Sequence, residues 1–235
     1  MKTIPLFFAV GAFALSGLLT TPLLAQIKEG AVVDESTGVL EEIMASPEKG
    51  IPASLLANAQ GIAIVPNVVK GGLGIGIRFG RGILLVRDET GKWGTPSFIL
   101  LTGGSFGWQI GVQATDVILV FKNRKSVQTL LSGKLTLGAD AAVTAGPVGR
   151  QAEAGADVTL RSAVFSYSRS RGLFLGLALD GTAIMINDKA NAAYYGNNGQ
   201  PSSIPGPQRP DSAPPSAARL LEHVEKYTTA PLARW

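Results

Sequence analysis

The stretch KGGLGIGIRFGRG, residues 70–82, alternates small residues with large apolar ones, and this alternation restricts what the chain can form here. Successive side chains of an extended strand point to opposite faces, so the small and the apolar residues separate onto two faces. One face carries Gly72, Gly74, Gly76, Arg78 and Gly80, and the other carries Leu73, Ile75, Ile77 and Phe79. The pattern predicts a β-strand.

These glycines do not fit a nucleotide-binding loop. A P-loop ends in Gly-Lys-Ser/Thr, and a dinucleotide fingerprint places a third glycine at the start of a helix. The stretch lacks the first ending, and Phe79 occupies the third-glycine position. The alternation recurs in residues 105–113 and 172–179. Because glycine weakens a strand, its repeated use indicates tight bends or close backbone approach. Bending is favoured over a small-walled concavity that admits a ligand.

Apolar periodicity divides the rest of the chain into helices and strands. Helical spacing predicts a helix from Ile27 to Met44 and short helices in PASLLANA, NRKSVQTLLSG and DKANAAYYG. A period of two predicts six strand-like runs between Gly61 and Phe121, and further strands in KLTLGADAAVTAG, DVTLRSAVFSYS, GLFLGLALD and TAIMIN. Together they predict an α+β fold with a curved or barrel-like, mainly antiparallel β-sheet and peripheral helices.

Residues 1–25 have the pattern of a signal peptide. Lys2 precedes the apolar run IPLFFAVGAFALSGLL, and the small residue Ala25 offers a cleavage position. An uncleaved membrane anchor is the alternative, although the run is just short of the ~20 residues that span a bilayer. We expect an exported protein, periplasmic or secreted and peripherally associated with a membrane. The chain has no cysteine, which excludes disulfides, thiol catalysis and an acylated lipoprotein.

The composition changes after Gly196. Residues 197–218 read as a Pro/Ser/Gly-rich linker that cannot bury a core, and residues 219–235 as a tail with one short, weakly amphipathic helix. The folded domain is then predicted to span residues 26–196. We expect truncation after Gly196 to leave the melting temperature almost unchanged.

The sequence does not predict catalysis. His223 is the one histidine of the chain and lies in the predicted tail, so a zinc site is not expected. Asp116 and Asp180 occupy turn-like positions, which favours structural roles. Asp140 lies on a face with threonines, so that face is wet or Asp140 pairs with a cation such as Arg150. No catalytic residue, metal ion or cofactor is therefore predicted, and a hydrolase built on these aspartates is the weakest alternative.

Basic residues are the better candidates for function. The formal net charge is +4, which favours anionic partners. The candidate lipid-binding residues are Lys70, Arg78, Arg81, Arg87, Lys122, Arg124, Lys125, Arg169 and Arg171. Taken singly, each fits a solvated surface residue with an ordinary ion pair at least as well. The tryptophans are scattered and no RNP-like aromatic cluster is present, so nucleic acid is not predicted as a partner.

Several blocks of the sequence, taken in order, resemble the SYLF domain. They span roughly Ala53 to Gly196 and read GIAIVPNVVKGGLGIGIRFGRGILLVRD, WGTPSFILLTGGSFGWQIGVQATDVILVF, LTLGADAAVTAGPVGR, YSRSRGLFLGLALDG and NAAYYG. The resemblance implies a non-enzymatic module that binds anionic phospholipids, notably phosphoinositides, at a membrane surface. It also implies an exported bacterial member, and in yeast members the domain touches actin. The alternative is an exported structural or envelope-stress protein that acts through another protein.

Arg78 stands out because its strand neighbours on the same face are glycines. We predict that its side chain lies on this small-residue face and contributes to an anion site. If buried, Arg78 needs a carboxylate partner, for which Asp140 and Asp180 are the first candidates, since an unpaired buried charge is costly. If exposed, its planar guanidinium can bind a lipid phosphate through two hydrogen bonds.

Overall fold

The computed structural model describes residues 20–45, 50–147, 162–170, 173–176, 179–196 and 213–229. The helices are α1 (Thr20–Met44), α2 (Ala53–Ala57), α3 (Arg124–Leu131), α4 (Asp188–Tyr195) and α5 (Pro215–Thr228). The strands are β1 (Gly61–Val86), β2 (Ser97–Phe121), β3 (Lys134–Thr136), β4 (Val143–Ala145), β5 (Val164–Ser170), β6 (Leu173–Gly176) and β7 (Thr182–Ile186). The apolar run of the predicted signal peptide, residues 4–19, lies outside these residues.

The described strands form one curled sheet in which β2 is central. The strand order is β3-β7-β2-β5-β4, with β1 paired to β2 and β6 paired to β5. The start of β2 pairs with β7 and its end pairs with β5, while β1 pairs with β2 along almost its whole length. Only the pairing of β4 with β5 is parallel among these ladders. The predicted α+β fold with a curved, mainly antiparallel sheet and peripheral helices is confirmed.

The six strand-like runs predicted between Gly61 and Phe121 are joined into two long strands. Glycine keeps its backbone N–H and C=O, so the β1–β2 ladder continues through the glycine-rich segments from Gly61–Phe121 to Leu84–Ser97. Two register shifts, between Val65 and Val68 and between Gly72 and Gly74, make this ladder locally irregular.

Glycines at positions 80 and 82 allow β1 to fold back on itself. A Cβ atom on Gly82 would lie 2.1 Å from the carbonyl oxygen of Ile64 and 2.7 Å from Cα of Val65. A Cβ atom on Gly80 would lie 2.6 Å from Cγ1 of Val65 and 2.8 Å from Cγ2 of Val68. Both halves of one strand therefore stack against each other, with the glycine face inside. Close backbone approach, rather than bending alone, explains these two glycines.

Two apolar clusters lie on opposite faces of the curled sheet. The inner cluster joins alternate residues of β1 and β2 to α3 and includes Val65, Leu84, Leu101, Leu119, Val127 and Leu130. The outer cluster joins the other alternate residues to α1, α2, α4 and α5 and includes Ile64, Ile83, Ile118, Leu40, Tyr194 and Leu220. Because both faces of the long strands are covered here, their ends read as nearly continuous apolar runs.

The C-terminal helix packs on the domain, which contradicts the expectation that the tail adds little to stability. Helix α5 begins at Pro215, inside the segment predicted as linker, and its buried face belongs to the outer cluster. The indole N–H of Trp93 donates to Thr228 Oγ1 at 2.9 Å, and Arg219 lies 2.7 Å from Asp34 of α1. His223 is half-buried rather than solvent-facing, with Nδ1 3.1 Å from Glu41 Oε1. A Pro/Ser/Gly-rich connection therefore precedes a helix that completes the core.

Ending the chain after Gly196 removes α5, and we expect the melting temperature to fall by about 10 °C or more. Burial of one Leu or Val side chain is worth about 1.5–3 kcal/mol. A loss of 1 kcal/mol lowers the melting temperature of a chain of this size by about 2–4 °C. Thermal unfolding of the truncated and full-length chains, followed by circular dichroism, measures the difference.

Two point variants in α5 test whether docking of this helix stabilises the domain, independently of any other effect of the truncation. Leu220 is fully buried, so Leu220→Ala should destabilise the protein by about 2–5 kcal/mol. Glu222 is exposed on the same helix, so Glu222→Ala should change stability by less than about 0.5 kcal/mol. Equal melting of Leu220→Ala and the unchanged protein would contradict docking of α5.

Gly82→Ala should destabilise the protein by about 1–3 kcal/mol or more, because its methyl group would overlap the backbone of Ile64 and Val65. Gly104→Ala is the matched control in β2, since nothing lies within 4 Å of its Cβ position. Alanine there should be neutral or slightly stabilising, because glycine in a strand is entropically unfavourable. Urea unfolding compares the two, and equal effects would contradict the close crossing within β1.

Candidate functional site

The fold in β1 leaves large apolar side chains exposed midway along the β1–β2 ladder, at the bend that forms the tip of the folded ribbon. Val68 faces Gly80 and Val65 faces Gly82, so the strand folds near Gly74. Ile77 is 73% exposed and Phe79 46% on one side of the fold, and Val69 is 43% exposed on the other. Lys70, partly exposed, follows Val69. We call this region the ribbon tip and define it by Val69, Lys70, Ile77 and Phe79.

The predicted alternation of small and apolar residues in β1 is confirmed for residues 76–80. The apolar face of this segment, however, is exposed to solvent, and the small-residue face is buried. Gly76, Arg78 and Gly80 are buried, whereas Ile77 and Phe79 between them are exposed. The reason is steric, because only the glycine face is flat enough to stack against the first half of the strand. Sequence alternation separates the two faces without showing which one is covered. The exposed apolar residues were therefore missed as site candidates.

Arg78 lies on the small-residue face, as predicted, and is 8% exposed. Its Nη1 donates a hydrogen bond to Thr182 Oγ1 at 3.1 Å. Gly103 pairs with Arg78 on one side and with Thr182 on the other, so the guanidinium crosses a position without a side chain. Burial lowers the pKa of Arg78. Among the described residues no carboxylate pairs with it, and its role in an anion site stays a prediction.

The aspartates proposed as partners or catalysts have local structural contacts. Asp140 is exposed and accepts the backbone N–H of Thr136 at 2.7 Å, so its face is wet. Asp180 is exposed in a turn before Gly181, which has φ of 74°. Arg150, the alternative partner of Asp140, and Asp157 lie outside the described residues.

Asp116 holds the irregularity near the start of β1. Asn67 has φ of 50°, and its backbone N–H donates to Asp116 Oδ1 at 3.0 Å. The other oxygen, Oδ2, lies 3.2 Å from Nε of Arg169. The predicted structural role of Asp116 is confirmed. Within the described ranges, no three potential ligand side chains are grouped as a metal site.

Two predicted lipid-binding arginines connect the sheet to α1. Arg81 Nη2 donates to both carboxylate oxygens of the buried Glu29, at 2.6 and 2.5 Å. Arg169 pairs with Glu42 of α1 as well as with Asp116 of β2. Both arginines have internal partners, so their contribution to lipid binding would require these contacts to be shared or exchanged.

Two further arginines are held near the connection between β1 and β2. The guanidinium of Arg87 lies 4.6 Å from the ring centroid of Trp93. Arg124 Nη2 donates to the carbonyl oxygen of Asp88 at 2.9 Å. These side chains order the segment that follows β1, and they sit at the end of the ribbon opposite the tip.

The three candidate lysines make no ion pair with another described residue. Lys70 lies at the ribbon tip, whereas Lys122 and Lys125 follow the end of β2 at the far end of the ribbon. Arg171 is outside the described residues. Among these three lysines, Lys70 is the one next to an exposed apolar residue of β1, Val69. No helix of the described segments is long and apolar enough to cross a membrane.

Comparison with known proteins identifies the family. The model of the family described as "Ysc84: Las17-binding protein actin regulator" matches residues 102–227, a range that includes α5. Protein YSC84 of Saccharomyces cerevisiae is 37% identical over 178 residues, 74% of this chain and 37% of the relative. SH3 domain-containing YSC84-like protein 1 of Xenopus laevis is 37% identical over 155 residues, 65% of this chain and 45% of the relative.

A third relative, LAS seventeen-binding protein 3 of Saccharomyces cerevisiae, is 36% identical over 176 residues, 73% of this chain and 38% of the relative. The chain spans less than half the length of these curated relatives. The family description names binding and regulation rather than an enzymatic reaction. The chain belongs to the Ysc84 family of SYLF domains.

Proposed function

We propose that this SYLF domain is a non-enzymatic module that binds anionic phospholipid at a membrane surface through the ribbon tip. The observation that carries the proposal is the exposure of Ile77 and Phe79 where β1 folds, with the partly exposed Lys70 on the other side of the fold. Large exposed apolar side chains that cluster on a surface indicate a binding site for an apolar partner. More specifically, we propose that the bound lipid carries a phosphoinositide-like head group.

Apolar insertion contributes more to this binding than charge does. A cation near an anionic membrane surface contributes about 1 kcal/mol. Burial of a large apolar side chain contributes about 1.5–3 kcal/mol. Of the candidate cations near this fold, Lys70 makes no ion pair with a described residue, whereas Arg81 is paired with Glu29, so membrane attachment should weaken only modestly with added salt. The same calculation explains why arginines with internal partners are not required for attachment.

We also propose where the protein resides, on the basis of the predicted signal peptide. Residues 1–25 would direct the chain to the periplasm or the exterior, where the domain would lie peripherally on a membrane. Helix α1 continues past Ala25, so cleavage there would shorten its N-terminal end. The contacts of Glu29 and the residues after it would stay in the mature chain.

Binding to another protein is the second candidate function. The family description and the name of one relative, LAS seventeen-binding protein 3, describe Las17 binding, which favours a protein partner for the family. The ribbon tip offers the same apolar residues to a protein as to a bilayer. The two candidates differ in whether lipid alone is sufficient for binding.

The double variant Ile77→Ser/Phe79→Ser should lose binding to vesicles of phosphatidylcholine with phosphatidylglycerol, by tenfold or more in partition coefficient. Each 1.4 kcal/mol corresponds to about tenfold, and both side chains leave the bilayer. Both are exposed, so the variant should fold. Flotation with anionic and with zwitterionic vesicles measures the partition, and circular dichroism checks the fold.

Lys125→Gln is the matched control for Lys70→Gln, because Lys125 is exposed near the start of α3, which follows the end of β2. It should bind vesicles as the unchanged protein does, and Lys70→Gln should weaken binding only about fivefold. Unchanged flotation of the double variant would refute binding through the ribbon tip. Failure of the unchanged protein to float with anionic vesicles would refute lipid binding and favour a protein partner.

A further inference from the structure

A pocket lies at the end of the ribbon opposite the tip, between the end of β1, the following turn and α3. Its volume is about 480 Å³, within the range of small-molecule sites. The lining residues that matter for its chemistry are Arg87, Glu89, Arg124, Val127, Gln128 and Leu131. Lipid binding by the ribbon tip does not use this pocket.

Arg87 brings a cation to the pocket wall. Its guanidinium lies over the ring of Trp93, with Cζ 4.6 Å from the ring centroid, which fixes its orientation. Burial lowers the pKa of Arg87, as expected for a cation that has lost water. Its Nε is closed to solvent and has no hydrogen-bond partner among the described residues, so a ligand in the pocket meets the charge of the guanidinium rather than this donor.

Arg124 brings a second cation, and a carboxylate already lies near it. Its Nη2 is bound to the carbonyl oxygen of Asp88, while Nη1 lies 3.6 Å from Glu89 Oε1. The side chain of Glu89 is 92% exposed, so this contact is long and loosely held. The other acid of the wall, Asp88, accepts the N–H of Lys92 and the hydroxyl of Thr90 within its own turn.

The inner wall of the pocket is apolar. Val127 is fully buried in the inner cluster, and Val86 and Leu131 pack against that cluster. Gln60 and Gln128 add neutral amides at the sides. A ligand that fits this wall has a short apolar body, and its charged end meets the two arginines.

We infer that this pocket binds a small monocarboxylate with a short apolar chain. The carboxylate replaces Glu89 at Arg124 and lies near the charge of Arg87, because guanidinium groups bind carboxylates through charge-assisted hydrogen bonds. The chain lies on Val86, Val127 and Leu131. The Glu89 carboxylate therefore competes with the ligand carboxylate for Arg124, and this competition lowers the affinity of the pocket for the ligand.

Octanoate and octanol, added to the ¹⁵N-labelled full chain and followed by NMR, test the inference. Octanoate should shift the amide signals of residues 87–90 and 128–131 and bind at least tenfold more tightly than octanol. Glu89→Gln should strengthen octanoate binding several-fold, a gain that misfolding cannot produce. Gln128→Trp should fill the pocket and weaken octanoate binding at least tenfold, whereas Gln128→Ala should not.

Lys125→Gln is the matched charge control, because Lys125 is exposed next to Arg124 and does not line the pocket. It should leave octanoate binding within about twofold, as should Ile77→Ser/Phe79→Ser at the ribbon tip. Equal affinity for octanoate and octanol would overturn the inference, and so would octanoate binding that Glu89→Gln leaves unchanged. Vesicle binding is measured separately, so failure of one proposal does not imply failure of the other.

Discussion

The crossing of β1 over itself is the contact on which the rest of the domain depends. Gly80 and Gly82 bring the second half of the strand against the backbone of Ile64 and Val65, closer than any residue with a side chain permits. The glycine face is consequently inside and carries Arg78 with it, while Ile77 and Phe79 face outward. The same crossing separates the two apolar clusters, because it gives each half of the ribbon an inner and an outer face.

Helices α1 and α5 complete this arrangement from outside. Arg81 and Arg169 pair with Glu29 and Glu42 of α1, which explains why a helix rich in acids packs on the sheet. An acidic helix is a poor partner for an anionic bilayer, whereas it suits a sheet with basic side chains. Charge in this domain therefore holds its elements together, and apolar exposure at the ribbon tip supplies the candidate surface for a membrane.

Local periodicity was sufficient to predict the α+β class and the main helices and strands, because alternation and helical spacing are written in adjacent residues. Local periodicity was insufficient for features that depend on contacts between residues far apart in the sequence. The runs between Gly61 and Phe121 were interpreted as separate strands, yet the glycines at their boundaries continue the ladder and allow the fold within β1. The docking of α5 depends on Leu220 and Val224 meeting α1 and α2 across the chain, which the Pro-rich connection before it concealed. The candidate cations were found by residue type, but their ion pairs depend on partners such as Glu29, 52 residues away.

Spin-label depth on vesicles tests the membrane-binding surface most directly. The chain has no cysteine, so Ile77→Cys and Lys134→Cys each carry a single nitroxide. On phosphatidylcholine–phosphatidylglycerol vesicles, the label at position 77 should become more accessible to oxygen and less accessible to a water-soluble nickel chelate. The label at position 134 should remain in water. A label at position 77 that stays in water while the protein is vesicle-bound, or immersion of position 134 instead, would contradict binding through the ribbon tip.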